Sequence, residues 1–177
     1  PTPPRPSTRL LGRGSPGHST PFPLARTPMT NQDITQQDLP TGLRRTVHTS
    51  STWLKRIAAE MGHGNKQKAY HALRGVLFAT RDRLPVDEAL DLSAQLPTLL
   101  RGVFFEGYRA TGKPETYRDR ETFLRRVNEE LTESGGGNPA DAARAVFTFL
   151  NKKISAGEIE DVRHILPPPI RELWPEE

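Results

Sequence analysis

The sequence predicts an all-α protein, a pseudo-twofold helical bundle made of two tandem four-helix repeats at a 70-residue offset. Three observations lead there. The last two-thirds of the chain repeats itself at that offset without a gap, with identical pairs such as Thr52/Thr122, Leu54/Leu124, Arg74/Arg144, Val76/Val146, Glu88/Glu158, Asp91/Asp161, Pro97/Pro167 and Arg101/Arg171. Within each copy the apolar residues recur at the i, i+3, i+4, i+7 spacing of a helix buried on one face. No segment alternates apolar and polar residues for long enough to read as a strand.

The first helix of the first copy reads from Thr52 to Met61, with Trp53, Leu54, Ile57, Ala58 and Met61 on one face. Gly62 and Gly64 then supply its stop. The second helix carries the clearest stripe, through Ala69, Ala72, Leu73, Val76, Leu77, Thr80 and Leu84. Its counterparts Pro139, Ala142, Ala143, Val146, Phe147, Leu150 and Ile154 keep the spacing. Asn138 and Pro139 suit a helix start, with Asn as cap and Pro at the first helical position. The third helix of the second copy opens at Ser155 to Glu158, the pattern of a capping box. In the first copy Pro85 takes the place of Ser155. Leu96-Pro97 and Leu166-Pro167 break the chain, because the residue before Pro disfavours the α region. The fourth helices follow, with Leu99, Leu100, Val103 and Phe104 in one copy and Ile170, Leu173 and Trp174 in the other.

Each copy, over about 52–105 and 122–175, buries too little surface to be stable alone. A unit of roughly 55 residues covers only about 60% of the surface that its unfolded chain exposes. Two such units sharing a core make one domain, expected over residues 51–177. The connector from Glu106 to Arg120 carries Gly107, Gly112 and Pro114, and Gly135 to Gly137 reads as a second flexible joint.

Residues 1–50 read as a disordered or polar tail. The formal net charge of +4 is concentrated there. Residues 1–28 hold Arg5, Arg9, Arg13 and Arg26, no acid, and 8 of the 17 prolines, whereas residues 51–177 hold 19 basic and 19 acidic residues. A segment of that composition buries too little to offset its ordering entropy. Residue 1 is Pro, and Met29 opens MTNQDITQQDL, so 1–28 reads as sequence upstream of the native start. If the segment is native, it is a basic arm able to touch phosphates; nucleic acid is not an expected partner otherwise. The chain has no cysteine, hence no disulfide, thiolate nucleophile or cysteine zinc site. No apolar run reaches the roughly 18 residues of a membrane span. A cytoplasmic setting without membrane contact is the expectation.

Gly107 to Lys113 matches a phosphate-binding loop except at its last position, where Pro114 stands in place of the Ser or Thr that ligates magnesium. It follows an expected helix, not a strand, and reads as an ordinary connector. Glu88 and Asp91, like Glu158 and Asp161, lie three residues apart and share a helix face. Such carboxylates could hold a metal or move protons. Their duplication favours structural ties to Arg74, Arg101, Arg144 and Arg171, because a fold needs its ties twice and a single active site does not. The histidines lack metal-binding spacing and no Gly-x-Ser-x-Gly elbow is present. Trp53 and Trp174 fall on apolar stripes and read as core.

Several stretches resemble the bacterial DUF2267 family. They include Trp53 to Ala58, Arg81 to Pro85, Gln95 to Pro97, Leu100 to Tyr108, Ser155 to Arg163 and Ile170 to Pro175, in the family's order across roughly 52–175. The resemblance implies a small helical domain of bacterial origin. It implies no activity, so no catalytic residue and no cofactor is carried over. The expected function is that of a non-catalytic module acting by association with a protein partner or with itself. Exposed Phe104, Phe105 and Tyr108 would mark the interface, with Tyr108, Arg109 and Lys113 contacting a partner or an anionic ligand. A small-ligand site between the repeats is the alternative, beside the nucleic-acid reading of the basic arm.

Overall fold

The structure, a computed structural model, describes residues 39–175. The chain divides into two units, Pro1–Ile34 and Thr35–Glu177, and the described residues belong to the second. The tail expected over 1–50 therefore lies outside the described residues as far as residue 38, and with it the basic arm and the Met29 start.

The described residues form eight helices and no strand: α1 Thr41–Glu60, α2 Lys66–Arg81, α3 Val86–Ala94, α4 Thr98–Phe104, α5 Arg120–Thr132, α6 Pro139–Asn151, α7 Ala156–Ile165 and α8 Pro168–Arg171. None of them is long and apolar enough to cross a membrane. Helix α2 is the centre of the packing and touches α1, α4, α5 and α6. Helix α1 also packs on α4 and α6, α5 on α6 and α8, and α3 on α7.

The stripe on α2 is buried throughout, from Ala69 to Thr80 and on to Leu84. Its counterparts Ala142, Ala143, Val146, Phe147, Leu150 and Ile154 are buried likewise. Trp53 packs edge-on to Phe149 with ring centroids 5.1 Å apart. Trp174 stacks on Phe147 at 4.1 Å. Where α2 passes α5 the helices meet backbone to backbone. A methyl at Gly75 would stand 2.9 Å from the carbonyl oxygen of Val127 and 3.1 Å from its Cα, so only glycine fits.

Asn65 and Asn138 cap α2 and α6. Each side-chain oxygen accepts from two backbone amides, those of Gln67 and Lys68 and those of Ala140 and Asp141. Pro139 occupies the first turn of α6, as expected. Two expectations need correction. The end of the expected polar tail is helical from Thr41, because Val47 and the buried Ser50 continue the stripe of Trp53 and Ile57 one turn at a time. The capping box at α7 is not made: Ser155 has extended backbone but its side chain makes no cap hydrogen bond. Glu158 Oε1 is instead buried without a hydrogen-bond partner.

Candidate functional site

The densest polar cluster lies where the connector between α4 and α5 returns across the end of α2. Asp82 is its hub. The side chain meets Lys113 Nζ at 2.9 Å, Arg126 Nη1 at 3.2 Å and Arg81 Nε at 3.3 Å. Its backbone carbonyl accepts from the Glu115 amide at 2.8 Å. Glu115 in turn takes Lys113 at 2.8 Å and pairs with Arg126. Tyr117 donates its hydroxyl to the Ala79 carbonyl at 2.8 Å, and its ring lies under the guanidinium groups of Arg126 and Arg83. Burial pushes the Tyr117 hydroxyl well up from its ordinary range. A second group stands on the same helix: Arg74 binds Glu130 of α5 at 2.7 Å and also pairs with Glu106. Arg81 donates to the carbonyl of Phe104. Burial pulls its guanidinium down, partly offset by Asp82.

Most of the side chains expected at a partner surface turn inward. Phe104 is fully buried in the core. Phe105 and Tyr108 pack against that core, Phe105 lying edge-on to Phe104 at 5.0 Å and to Tyr108 at 5.6 Å. The Tyr108 hydroxyl is buried without a hydrogen-bond partner. The Lys113 side chain is only 10% exposed, held between Asp82 and Glu115. Arg109 alone of the five is exposed. The apolar surface that does face solvent lies elsewhere. Leu43 on α1, Leu99 on α4 and Leu90 on α3 are each about half exposed. The Leu99 amide donates to Thr46 Oγ1 at 3.1 Å, one turn along α1 from Leu43. Beside it runs a groove of about 360 Å³ lined by Gly42, Thr46, Thr49, Trp53, Leu96 and Pro97.

The repeated carboxylates do not pair with the repeated arginines, which corrects the expected ties. Arg101 and Arg171 donate to backbone carbonyls, Arg144 meets Asp141, and Arg74 meets Glu130 and Glu106. Glu88 and Glu158 share the α3–α7 seam with Asp91 and Asp161. Partial burial holds both glutamates above the ordinary carboxylate range. Beyond burial, Asp87, Asp161 and Asp91 act on Glu88, and Asp91, Glu88 and Asp161 on Glu158. Among the described residues no group of His, Asp or Glu side chains is arranged to hold a metal ion.

The model of one protein family, described as "Uncharacterized conserved protein (DUF2267)", matches residues 50–173. The chain belongs to the DUF2267 family. The DUF2267 match starts inside α1 and runs past α8, so it takes in the α2–connector–α5 cluster whole. A search of the curated proteins found no match. Sequence reasoning missed Asp82, Glu115, Tyr117 and Arg126 as one constellation in this DUF2267 domain. The one local signal was the alternation Arg81-Asp82-Arg83 directly after an apolar stripe. Leu43 was missed because it stands in the stretch read as a polar tail.

Proposed function

We propose that this DUF2267 domain is a non-catalytic helical module that works by association, through the α1–α4 face, with a second copy of itself. The observation that carries the reading is the exposure of Leu43 and Leu99 on adjoining helices, 54% and 47%, beside a groove lined in part by Trp53 and Leu96. Apolar surface gains roughly 25 cal/mol for each Å² removed from water. In a twofold dimer, the commonest symmetry of soluble oligomers, the same patch of each copy meets the other. Sedimentation of the full chain over a range of concentrations tests it. The wild type should pass from monomer to dimer, and Leu43→Glu with Leu99→Glu should remain monomeric with unchanged helicity. A wild type that stays monomeric throughout overturns the reading.

The reading includes a pseudo-twofold arrangement of the two repeats. Several features support it. Helices α3 and α7 start at Val86 and Ala156, and α4 and α8 at Thr98 and Pro168, each pair 70 residues apart. Helix α5 packs on α2 as α1 packs on α6, while α2 meets α6 and α3 meets α7. The reading also assigns no cofactor, and takes the setting to be the bacterial cytoplasm, which fractionation of the source cells tests.

A further inference from the structure

Arg83 is the buried cation of the α2–connector cluster that has no carboxylate. Arg74, Arg81, Lys113 and Arg126 each lie within an ion pair. Arg83 lies in none among the described residues, although its residue is only 9% exposed. Its Nε–H is fully buried and meets no acceptor. Its guanidinium sits 5.3 Å from the centre of the Tyr117 ring. That contact favours the charge but leaves the in-plane Nε–H unmet. The Tyr117 hydroxyl cannot serve, since it is committed to the Ala79 carbonyl. Glu115 acts on Arg83 from a distance, but its oxygens are held by Lys113 and Arg126.

A buried charge without a partner is strongly unfavourable, and an arginine cannot escape by losing its proton. Burial pushes the Arg83 guanidinium down, and Arg118 adds repulsion of the same sign, with only Tyr117 and Glu115 acting the other way. The count of charges is also unequal. Arg74, Arg81, Lys113 and Arg126 pair with Asp82, Glu106, Glu115 and Glu130, four with four, and Arg83 and Arg118 enter no ion pair among the described residues, an excess of two positive charges. The residue 70 positions on from Arg83 is the exposed Lys153, so this burial is not one of the ties made in both repeats.

We propose that Arg83, backed by Arg118, binds a phosphate-type dianion at the end of α2. The planar guanidinium fork suits two phosphate oxygens, and a dianion matches the excess of charge. The site is separate from the α1–α4 face and stands or falls independently of self-association.

Thermal unfolding of the full chain in inorganic phosphate, against sodium chloride of equal ionic strength, tests it. A ligand that binds only the folded state raises the melting temperature with its concentration. The wild type should rise in phosphate and not in chloride. Arg83→Gln and Arg118→Gln should each blunt the rise, Arg83→Gln weakening phosphate affinity by about tenfold or more, the scale of one charge-assisted hydrogen bond. An equal rise in Arg83→Gln, or an equal rise in chloride, overturns the proposal. Should Arg83→Gln fail to fold, the Arg83 Nε–H resonance of the wild type provides the readout. It should shift on titration with phosphate, and an unmoved resonance overturns the site. Phenyl phosphate separates the sources: tighter binding than inorganic phosphate assigns the site to a phosphomonoester, weaker binding to the free ion.

Discussion

Arg101 and Arg171 make the same connection in the two halves of the domain. Arg101 Nη2 donates to the carbonyls of Ala94 and Leu96 at 3.0 and 3.4 Å, and Arg171 Nη2 to those of His164 and Leu166 at 3.2 and 3.1 Å. Each arginine thus satisfies carbonyls left open at the end of the preceding helix, where a cation is also favoured by the helix dipole. Arg101 adds a bond from Nε to the Ser93 carbonyl at 2.9 Å, whereas Arg171 Nε is buried without a partner. Arg101→Ala should therefore destabilise more than Arg171→Ala, by about 1.5–3 kcal/mol for the first. Urea unfolding of the two variants gives the comparison. Arg101→Lys should restore little, because an ammonium cannot span the same carbonyls.

Gly75→Ala should destabilise by about 1–3 kcal/mol, the scale of an overpacked core. The intrinsic preference of helices for Ala over Gly, about 1 kcal/mol, acts the other way. The sign is set by what the methyl meets: the Val127 backbone cannot swing aside as a flexible side chain can. Equilibrium unfolding checks it, and a stabilised variant would show that α2 and α5 part easily. The position 70 residues on is Ala145, already 7% exposed, where a methyl is accommodated.

Asp82→Asn should cost about 3 kcal/mol, as expected when one member of a buried charge group is removed. The loss leaves Lys113, Arg81 and Arg126 with one fewer carboxylate, and two of these side chains are 10% or less exposed. Hydrogen exchange should locate the change in the connector amides, beginning with Glu115, whose bond to the Asp82 carbonyl needs the chain held in place.

Glu158→Gln should stabilise the domain at pH 7. The folded carboxyl holds its proton more tightly than the unfolded one, because of partial burial and then Asp91, Glu88 and Asp161. Its contribution is fully present below the unfolded value, about 4.3, and is lost as pH rises through the raised folded value. The amide removes that loss, so the advantage of Glu158→Gln should fade as pH falls below about 4.3. Urea midpoints at pH 7 and pH 4 give both halves of the comparison. Asp119 has the opposite sign. The Thr122 amide holds its carboxyl low, so its contribution is present above the unfolded value and lost as pH falls through the folded one.

The core could be read from the chain because its signal is periodic. Every stripe position from Ala69 to Leu84 is buried, and the 3.6-residue repeat needs no knowledge of what lies opposite. The first turns of α1 could not be read so, because Thr46, Thr49 and Ser50 occupy positions where the pattern expects apolar groups. The inward turn of Phe105 and Tyr108 was hidden for another reason. The partners of Tyr108, Arg81 and Lys113, lie on different segments, and only the return of the connector brings them together. The Asp82 hub joins residues 82, 113, 115 and 126, a set with no common spacing. Ion pairs of that kind are written in the tertiary path of the chain and not in any window of it.

The clasped connector also governs how the domain would meet a protease. By composition, with its glycines and with Arg109 and Arg118 close together, it is a natural target for trypsin. Lys113 is held by Asp82 and Glu115 and precedes Pro114, which leaves exposed Arg109 and Arg118 as the accessible cleavage points. A nick there would sever the peptide between α4 and α5 without parting α2 from α5 or α1 from α6. The two fragments would still migrate as one particle until a denaturant released them.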